Sequence, residues 1–303
     1  MECIEDLIMQ KLKVAAVAMN GLLGQTEENL KAIDQWAARA KASGANLVLF
    51  PELVVHGHND PNTWYKAESV PNGPSVQHLC VLAKKLNLFL SVGLSEKEND
   101  IVYNTQVLVG PEGYIGSQRK IHLSRDEVIH YEGGSEMPIF DIGKCRVGTI
   151  ICYDNAFPEV ARILALRGAN VLLMPHAARM KMWTDDPASE KKAATDSAKY
   201  FQMIATTRAY ENACYAVLCN QAGRAGYVDT YPRESPNQPH HAGGCLIVDP
   251  LGEIAAQTSF KTIQDEILVT DLLPEKLQEA RSNPNYTIRQ RRPELFSLLS
   301  EGR

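Results

Sequence analysis

The chain has 303 residues, 45% of them hydrophobic; a chain of this size buries about three quarters of its unfolded surface, so one large core needs no covalent staple. Its seven cysteines are an odd number without CxxC or other metal-ligand spacing, which argues against a disulfide framework and for a reducing, cytoplasmic setting. A formal charge of -5 with no Lys/Arg block excludes nucleic acid and anionic membrane as main partners, and no apolar run is long enough to cross a bilayer, so a small-molecule ligand is expected.

The opening stretch MECIEDLIMQ carries acid where a secretory leader carries base. KVAAVAM at 13–19 is an apolar run of strand length, a helical stretch follows at about 27–41, and NLVLF then ends in Pro51-Glu52, which together make a βαβ unit. LFLSVGL at 88–94 reads as a strand, with TQVLVG and YIGSQ forming a hairpin around Pro111-Glu112-Gly113. RVGTIIC at 146–152 is the next buried-strand run; Pro158 opens the helix PEVARILALRG, and NVLLM ends in Pro175-His176. The βαβ unit is thus repeated, for SGANLVLFPE at 43–52 and RGANVLLMPH at 167–176 align without a gap. A helix over roughly 192–212 is expected next, then strands at CYAVLCN and GCLIVD and another beyond the Asp249-Pro250-Leu251-Gly252 turn. From about Pro274 the composition turns charged and polar, so 274–303 is read as a C-terminal extension lying over the body or a neighbouring subunit. No Gly/Ser or Pro-rich linker divides the chain, and 1–303 is expected to be one domain. Two related halves imply two mixed sheets facing each other across a pseudo-twofold axis, each covered by helices: a four-layer αββα sandwich of the α/β class.

In sheets built from βαβ units, ligands gather beyond the carboxyl ends of the parallel strands. Those ends carry Met19, Glu52, Cys152 and His176. A cysteine there is, by itself, more often a small core residue, and a glutamate more often a cap. A lone lysine at a strand end, as Lys120 in SQRKIHL, is usually a solvated charge. Other polar residues read more plainly. His56 and His58 in HGHND are taken as surface-loop histidines whose spacing to His240 and His241 matches no metal pattern, and GRAG around Gly223 as a turn. Trp183, in the polar loop 179–190, suits a pocket mouth and simple packing equally.

VLFPE, RKIHL and ICYDNAFPE, in this order, resemble the three signature regions of the nitrilase (carbon-nitrogen hydrolase) superfamily, and the resemblance runs over nearly the whole chain. It implies the αββα fold, assembly as a homodimer or higher even-numbered homo-oligomer, no metal or organic cofactor, and a Glu-Lys-Cys triad on Glu52, Lys120 and Cys152. A second glutamate falls on Glu127 in DEVIHYEGG, with Glu132 as its competitor. In that scheme Cys152 attacks a carbonyl as a thiolate, helped by its neighbours and by the helix starting near Pro158. Glu52 moves the protons, Lys120 and the backbone N–H of Tyr153 hold the oxyanion, and Glu127 orients Lys120 or assists proton transfer. Tyr153-Asp154 after the nucleophile resembles the amidase and carbamoylase branches, whereas nitrile-cleaving branches carry Trp-Glu there. Carbamoylases for D-amino acids grip a carboxylate with arginines just after the cysteine; here Asn155-Ala156 stand instead, which argues against an α-carboxylate substrate unless Arg179 or Lys181 replaces the missing cation. Tyr153, Asn155 and, by the internal echo with Glu52, His176 are expected to contact substrate. The expected activity is hydrolysis of a small amide or N-carbamoyl compound, releasing ammonia, with carbon dioxide if the substrate is carbamoylated. Nitrile hydrolysis, acyl transfer on the same scaffold and a catalytically silent binding protein are the alternatives.

Overall fold

Side-chain alternation along the strands decides the layering. A computed structural model of the chain describes residues 9–58, 60–180, 187–227, 232, 234–235, 238–260 and 264–301. In β1 (Leu12–Ala18), Val14 and Ala16 face one way and Ala15 and Val17 the other, all of them buried, as a strand covered on both faces requires. β1 belongs to a six-stranded sheet with β2 (Leu47–Leu49), β3 (Phe89–Glu98), β4 (Ile101–Gly110), β5 (Gly113–Arg119) and, from the far end of the chain, β14 (Glu266–Leu272). A second six-stranded sheet holds β6 (Ile139–Asp141), β7 (Arg146–Thr149), β8 (Val171–His176), β9 (Tyr215–Asn220), β12 (Cys245–Val248) and β13 (Ile254–Gln257). β10 (Ala222–Arg224) and β11 (His240–Ala242) form a separate hairpin.

The internal echo extends to the hydrogen-bond ladders. In the first sheet β14-β1 is antiparallel, β1-β2 and β2-β3 parallel, β3-β4 and β4-β5 antiparallel. The second sheet repeats this pattern in the order β6-β7-β8-β9-β12-β13. β14 therefore fills the place in its sheet that β6 fills in the other. The apolar faces of the sheets meet directly: Val14, Leu47 and Leu49 pack in one cluster with Val147, Leu173 and Val217. The opposite face of the first sheet is covered by α1 (Thr26–Ala42) and α3 (Pro74–Leu86), where Ile33, Ala37, Val76 and Leu79 meet Val48 and Leu90. On the second sheet, Leu172, Met174 and Leu218 pack against Leu164 of α4 (Pro158–Leu166) and Phe201 and Ala205 of α5 (Pro187–Asn212). This is the expected four-layer αββα arrangement.

Local chemistry explains the helix limits. Pro74 and Pro158 occupy first-turn positions, where a missing N–H costs nothing. α1 carries Glu27 and Glu28 in its first turn and Arg39 and Lys41 in its last, the signs its dipole favours. α5 begins five residues before the position expected from its periodicity, and the short α2 (Thr63–Lys66) and α3 were not anticipated. GRAG is not a turn: Gly223 is the centre of β10, paired with His241 at φ +73°. Pro274 opens α6 (Pro274–Ser282), whose Leu277 enters the core between the sheets, so the exposed part of the C-terminal stretch begins after this helix.

Candidate active site

Three of the four parallel-strand ends, Glu52, Cys152 and His176, meet around Lys120, while Met19 packs in the apolar cluster beneath α1 and α3. Cys152 leaves β7 with φ = 47°, a left-handed conformation that a side-chain-bearing residue adopts at a cost of about 1 kcal/mol or more. The turn that follows holds it there. Asp154 accepts hydrogen bonds from the N–H groups of Ile121 (3.2 Å) and His122 (2.7 Å) and from the ring of His122 (2.9 Å). Asn155 donates to the carbonyls of Ile150 (3.2 Å) and Cys152 (3.1 Å), and Arg208 of α5 donates to the Asn155 carbonyl at 2.9 Å. Because Asp154 grips the two residues after Lys120, it also fixes the lysine's strand end relative to the thiol.

Lys120 is buried, and its ammonium donates to Glu52 Oε1 at 2.6 Å and to both oxygens of Glu127 at 2.7 Å. Burial works against that charge, but Glu52 and Glu127 outweigh it and raise the lysine pKa, so the group stays protonated. Burial would likewise lift Glu127, yet His58 and Lys120 beside it hold its carboxyl well below the usual range. The Ser124 N–H adds a bond to Glu127 Oε2 at 2.8 Å. Glu132, the competitor, is exposed and pairs only through its backbone with Val102. Glu52 Oε2 is buried with no hydrogen-bond partner, a free acceptor in the centre of the cluster.

Cys152 does not rest as a thiolate. Burial and the nearby carboxyl of Glu52 push its pKa well above the ordinary thiol value, and neither Lys120 nor the Ala177 N–H brings it back. The helix expected to help begins at Pro158, beyond the short 3-10 turn Cys152–Ala156, and does not offset that burial. A neutral thiol beside an open carboxylate oxygen needs a base at the moment of attack, and Glu52 Oε2 is available for that.

A cavity of about 820 Å³ opens over this cluster; Lys120, Glu127, Cys152, Tyr153, His176 and Arg179 are among its walls. Tyr153 is partly exposed there, its ring edge-on to Phe157. His176 reaches the cavity as the echo implied, and its ring is kept neutral, its pKa pushed down to about 3 by burial and then by Lys120. Asn155 is buried outside the cavity walls, its amide engaged by the turn and by His176 Nε2 at 3.2 Å. Lys181 and Trp183 lie outside the described residues.

Three polar residues, two that sequence reasoning passed over and one that it placed on the surface, shape the centre. Asn104 of β4 donates at once to Glu52 Oε1 (2.8 Å) and Glu127 Oε1 (2.9 Å). Gln221 donates to the Glu52 carbonyl at 2.7 Å while its own N–H reaches the carbonyl of His176, tying the two echoed positions together. A signal existed for Asn104: the run Asn104-Thr105-Gln106 interrupts an otherwise apolar strand. The third is His58. It and His56 are buried rather than on a surface loop, because the chain beyond Glu52 turns inward. His56 accepts from the Ser95 N–H at 3.0 Å and faces Glu68, whereas His58 lies 3.8 Å from Glu127 with His241 edge-on beside it. Glu52, His58 and Glu127 present ligand-type atoms within 4.8 Å of one another, but the position between the two carboxyl groups is taken by the Lys120 ammonium.

A family model for carbon-nitrogen hydrolases matches residues 13–282. The chain belongs to the carbon-nitrogen hydrolase family. Relatives of this hydrolase include a probable nitrilase from Schizosaccharomyces pombe, 33% identical over 70% of this chain and 75% of that one. An N-carbamoylputrescine amidase from Arabidopsis thaliana is 26% identical over 89% of each chain, and an omega-amidase from Homo sapiens 28% identical over 89% of this chain and 92% of that one. Among solved structures, a Saccharomyces cerevisiae member of branch 10 of the nitrilase superfamily superposes with a TM-score of 0.77 at 25% identity, covering 94% of this chain and 98% of the other.

Proposed function

We propose that this carbon-nitrogen hydrolase cleaves a small amide or N-carbamoyl compound through a thioester on Cys152, with residues 1–303 acting as one catalytic unit. One observation carries the reading: a buried ammonium clasped by two carboxyl groups, one of which keeps an unpartnered oxygen, at the floor of a cavity that also exposes the thiol. Glu52 takes the thiol proton as Cys152 sulfur bonds to the carbonyl carbon. The oxygen becomes an anion held by the Lys120 ammonium and the Tyr153 N–H, each such donor worth on the order of a hundredfold in rate. The C–N bond then breaks, and Glu52 returns its proton to the departing nitrogen, which leaves as ammonia. Water, deprotonated by Glu52, cleaves the thioester and regenerates the thiol. Glu127 and Asn104 hold Lys120 and Glu52 in register throughout.

The test is ammonia and carbon dioxide release across primary amides, N-carbamoyl amines and N-carbamoyl amino acids, with Cys152→Ala and Glu52→Gln alongside. Ammonia alone identifies an amidase, and ammonia with carbon dioxide a carbamoylase. Both variants should fold normally and lose at least about a thousandfold in kcat. Activity above a few per cent in Cys152→Ala refutes the nucleophile, and a loss of only a fewfold in Glu52→Gln refutes the base. Turnover of nitriles but of no amide would move the enzyme to the nitrilase reading.

A further inference from the structure

The cavity contains a cation that the reaction above does not use. Arg179 stands three residues beyond His176, bridged to His241 across the hairpin, and its side chain forms part of the cavity wall. Its Nε is buried without a hydrogen-bond partner. Among the described residues, the one carboxylate within ion-pair range is Asp126, at 3.9 Å and 66% exposed. Arg119 shows what satisfaction looks like at almost the same exposure, 29% against 28% for Arg179: it binds Glu96 at 2.6 and 3.0 Å and Glu98 at 3.2 Å. Desolvation outweighs the pull of Asp126 and lowers the Arg179 pKa, the direction expected of a guanidinium without a close anion among the described residues. The acids at the rim do not remove the imbalance. Asp126 is largely solvated, and Asp196 is half exposed and already paired with Lys192 at 2.6 Å.

A planar guanidinium that faces a cavity, partly exposed but with its Nε buried and unpartnered, fits a carboxylate held by parallel hydrogen bonds. We propose that Arg179 is the specificity residue of this enzyme and that its substrate carries a carboxylate besides the amide or carbamoyl group that is cleaved. The inference rests on the hydrolase reading above and narrows it. Two sources share this chemistry: the monoamide of a dicarboxylic acid and an N-carbamoyl amino acid. A carbamoylated free amine, whose far end is cationic, would face like charge.

Two matched pairs, each setting a terminal carboxylate against a terminal methyl on the same chain, test it with the intact enzyme: succinamic acid against butyramide, and N-carbamoyl-β-alanine against propylurea. In at least one pair the carboxylate should raise kcat/KM by roughly a hundredfold, the scale of a desolvated charge pair, and the pair that responds identifies the source. Arg179→Gln should shrink that ratio to below about five, chiefly through KM, with Arg179→Lys intermediate because an ammonium keeps the charge and loses the fork. An unchanged ratio in Arg179→Gln, or a wild-type ratio near one in both pairs, overturns the inference while leaving the hydrolase reading intact. Hydrolysis of none of the four probes, with turnover of other amides or carbamoyl amines, overturns the inference alone, and silence across that whole panel overturns both. Should Arg179→Gln fail to fold, competitive inhibition of the wild type by propionate and not by propan-1-ol supports the site, and equal inhibition by the two counts against it.

Discussion

Asn104 gives one side-chain amide to two carboxyl groups, at 2.8 and 2.9 Å, and so sets the distance between the proposed base and the residue that holds Lys120. Hydrogen bonds to charged groups contribute about 1.5–3 kcal/mol each, and leaving a buried carboxylate short of a donor costs more than replacing both partners. Asn104→Leu should therefore lower stability by about 3 kcal/mol and kcat by tenfold to a hundredfold, with KM changed by no more than about threefold, since the amide touches no substrate. Urea unfolding and steady-state kinetics on the same preparation check this, and a change confined to KM would place Asn104 at the substrate instead. Glu52 and Cys152 stood out in the sequence because each closes a short apolar run, NLVLFP and VGTII, whereas Lys120 follows the polar end of YIGSQR and was singled out only by the resemblance of RKIHL to a family signature. Asn104 and His58 did not stand out, because their contacts are made by the register of β4 and by an inward turn, which local patterning does not report.

The element that aims Glu52 is β3. An added Cβ on Gly93 would lie 2.3 Å from the Leu53 nitrogen, 2.6 Å from the Pro51 oxygen and 2.8 Å from the Glu52 carbonyl carbon, all backbone atoms that cannot rotate away. The glycine is required there because the segment carrying the proposed base passes directly over the strand. Gly93→Ala should leave a folded protein, by circular dichroism, that has lost at least about tenfold in kcat and roughly 3 kcal/mol in stability. Wild-type kcat would show that Glu52 tolerates a shifted backbone. The sequence announced β1, β7 and β8 through apolar runs and α4 through its opening proline, but the same signal at Pro74 did not announce α3. Among the strands it concealed are β6, three residues long, and β14, whose half-buried EILVTDL has no clean alternation. Their pairing partners are set by the pseudo-twofold topology, in which β14 returns from the chain's far end to a place that β6 reaches locally.

At the scale of the whole molecule, the two echoed strand ends have opposite electrostatic characters: Glu52 shares the Lys120 ammonium, while His176 is buried as a neutral ring. Neutral buried histidines make the fold sensitive to acid. In the unfolded chain a histidine takes up a proton near pH 6.5, whereas native His176 resists until about pH 3, so between those values the unfolded state binds more protons and stability falls as pH falls. The window of about 3.5 units corresponds to a loss of roughly 5 kcal/mol at its acid end. His241, held well below its ordinary value by burial and then by His58, adds to the same slope, and Glu127, kept below the usual carboxylate range, adds to it under pH 4.5. His176→Gln keeps a hydrogen-bond acceptor for the Asn155 amide and removes one titration. Its urea midpoint should fall less steeply than the wild type's between pH 7 and pH 4, even if it starts lower at pH 7. Parallel slopes for the two proteins would mean that the His176 ring is protonated in the native state and that the acid limb belongs to other groups.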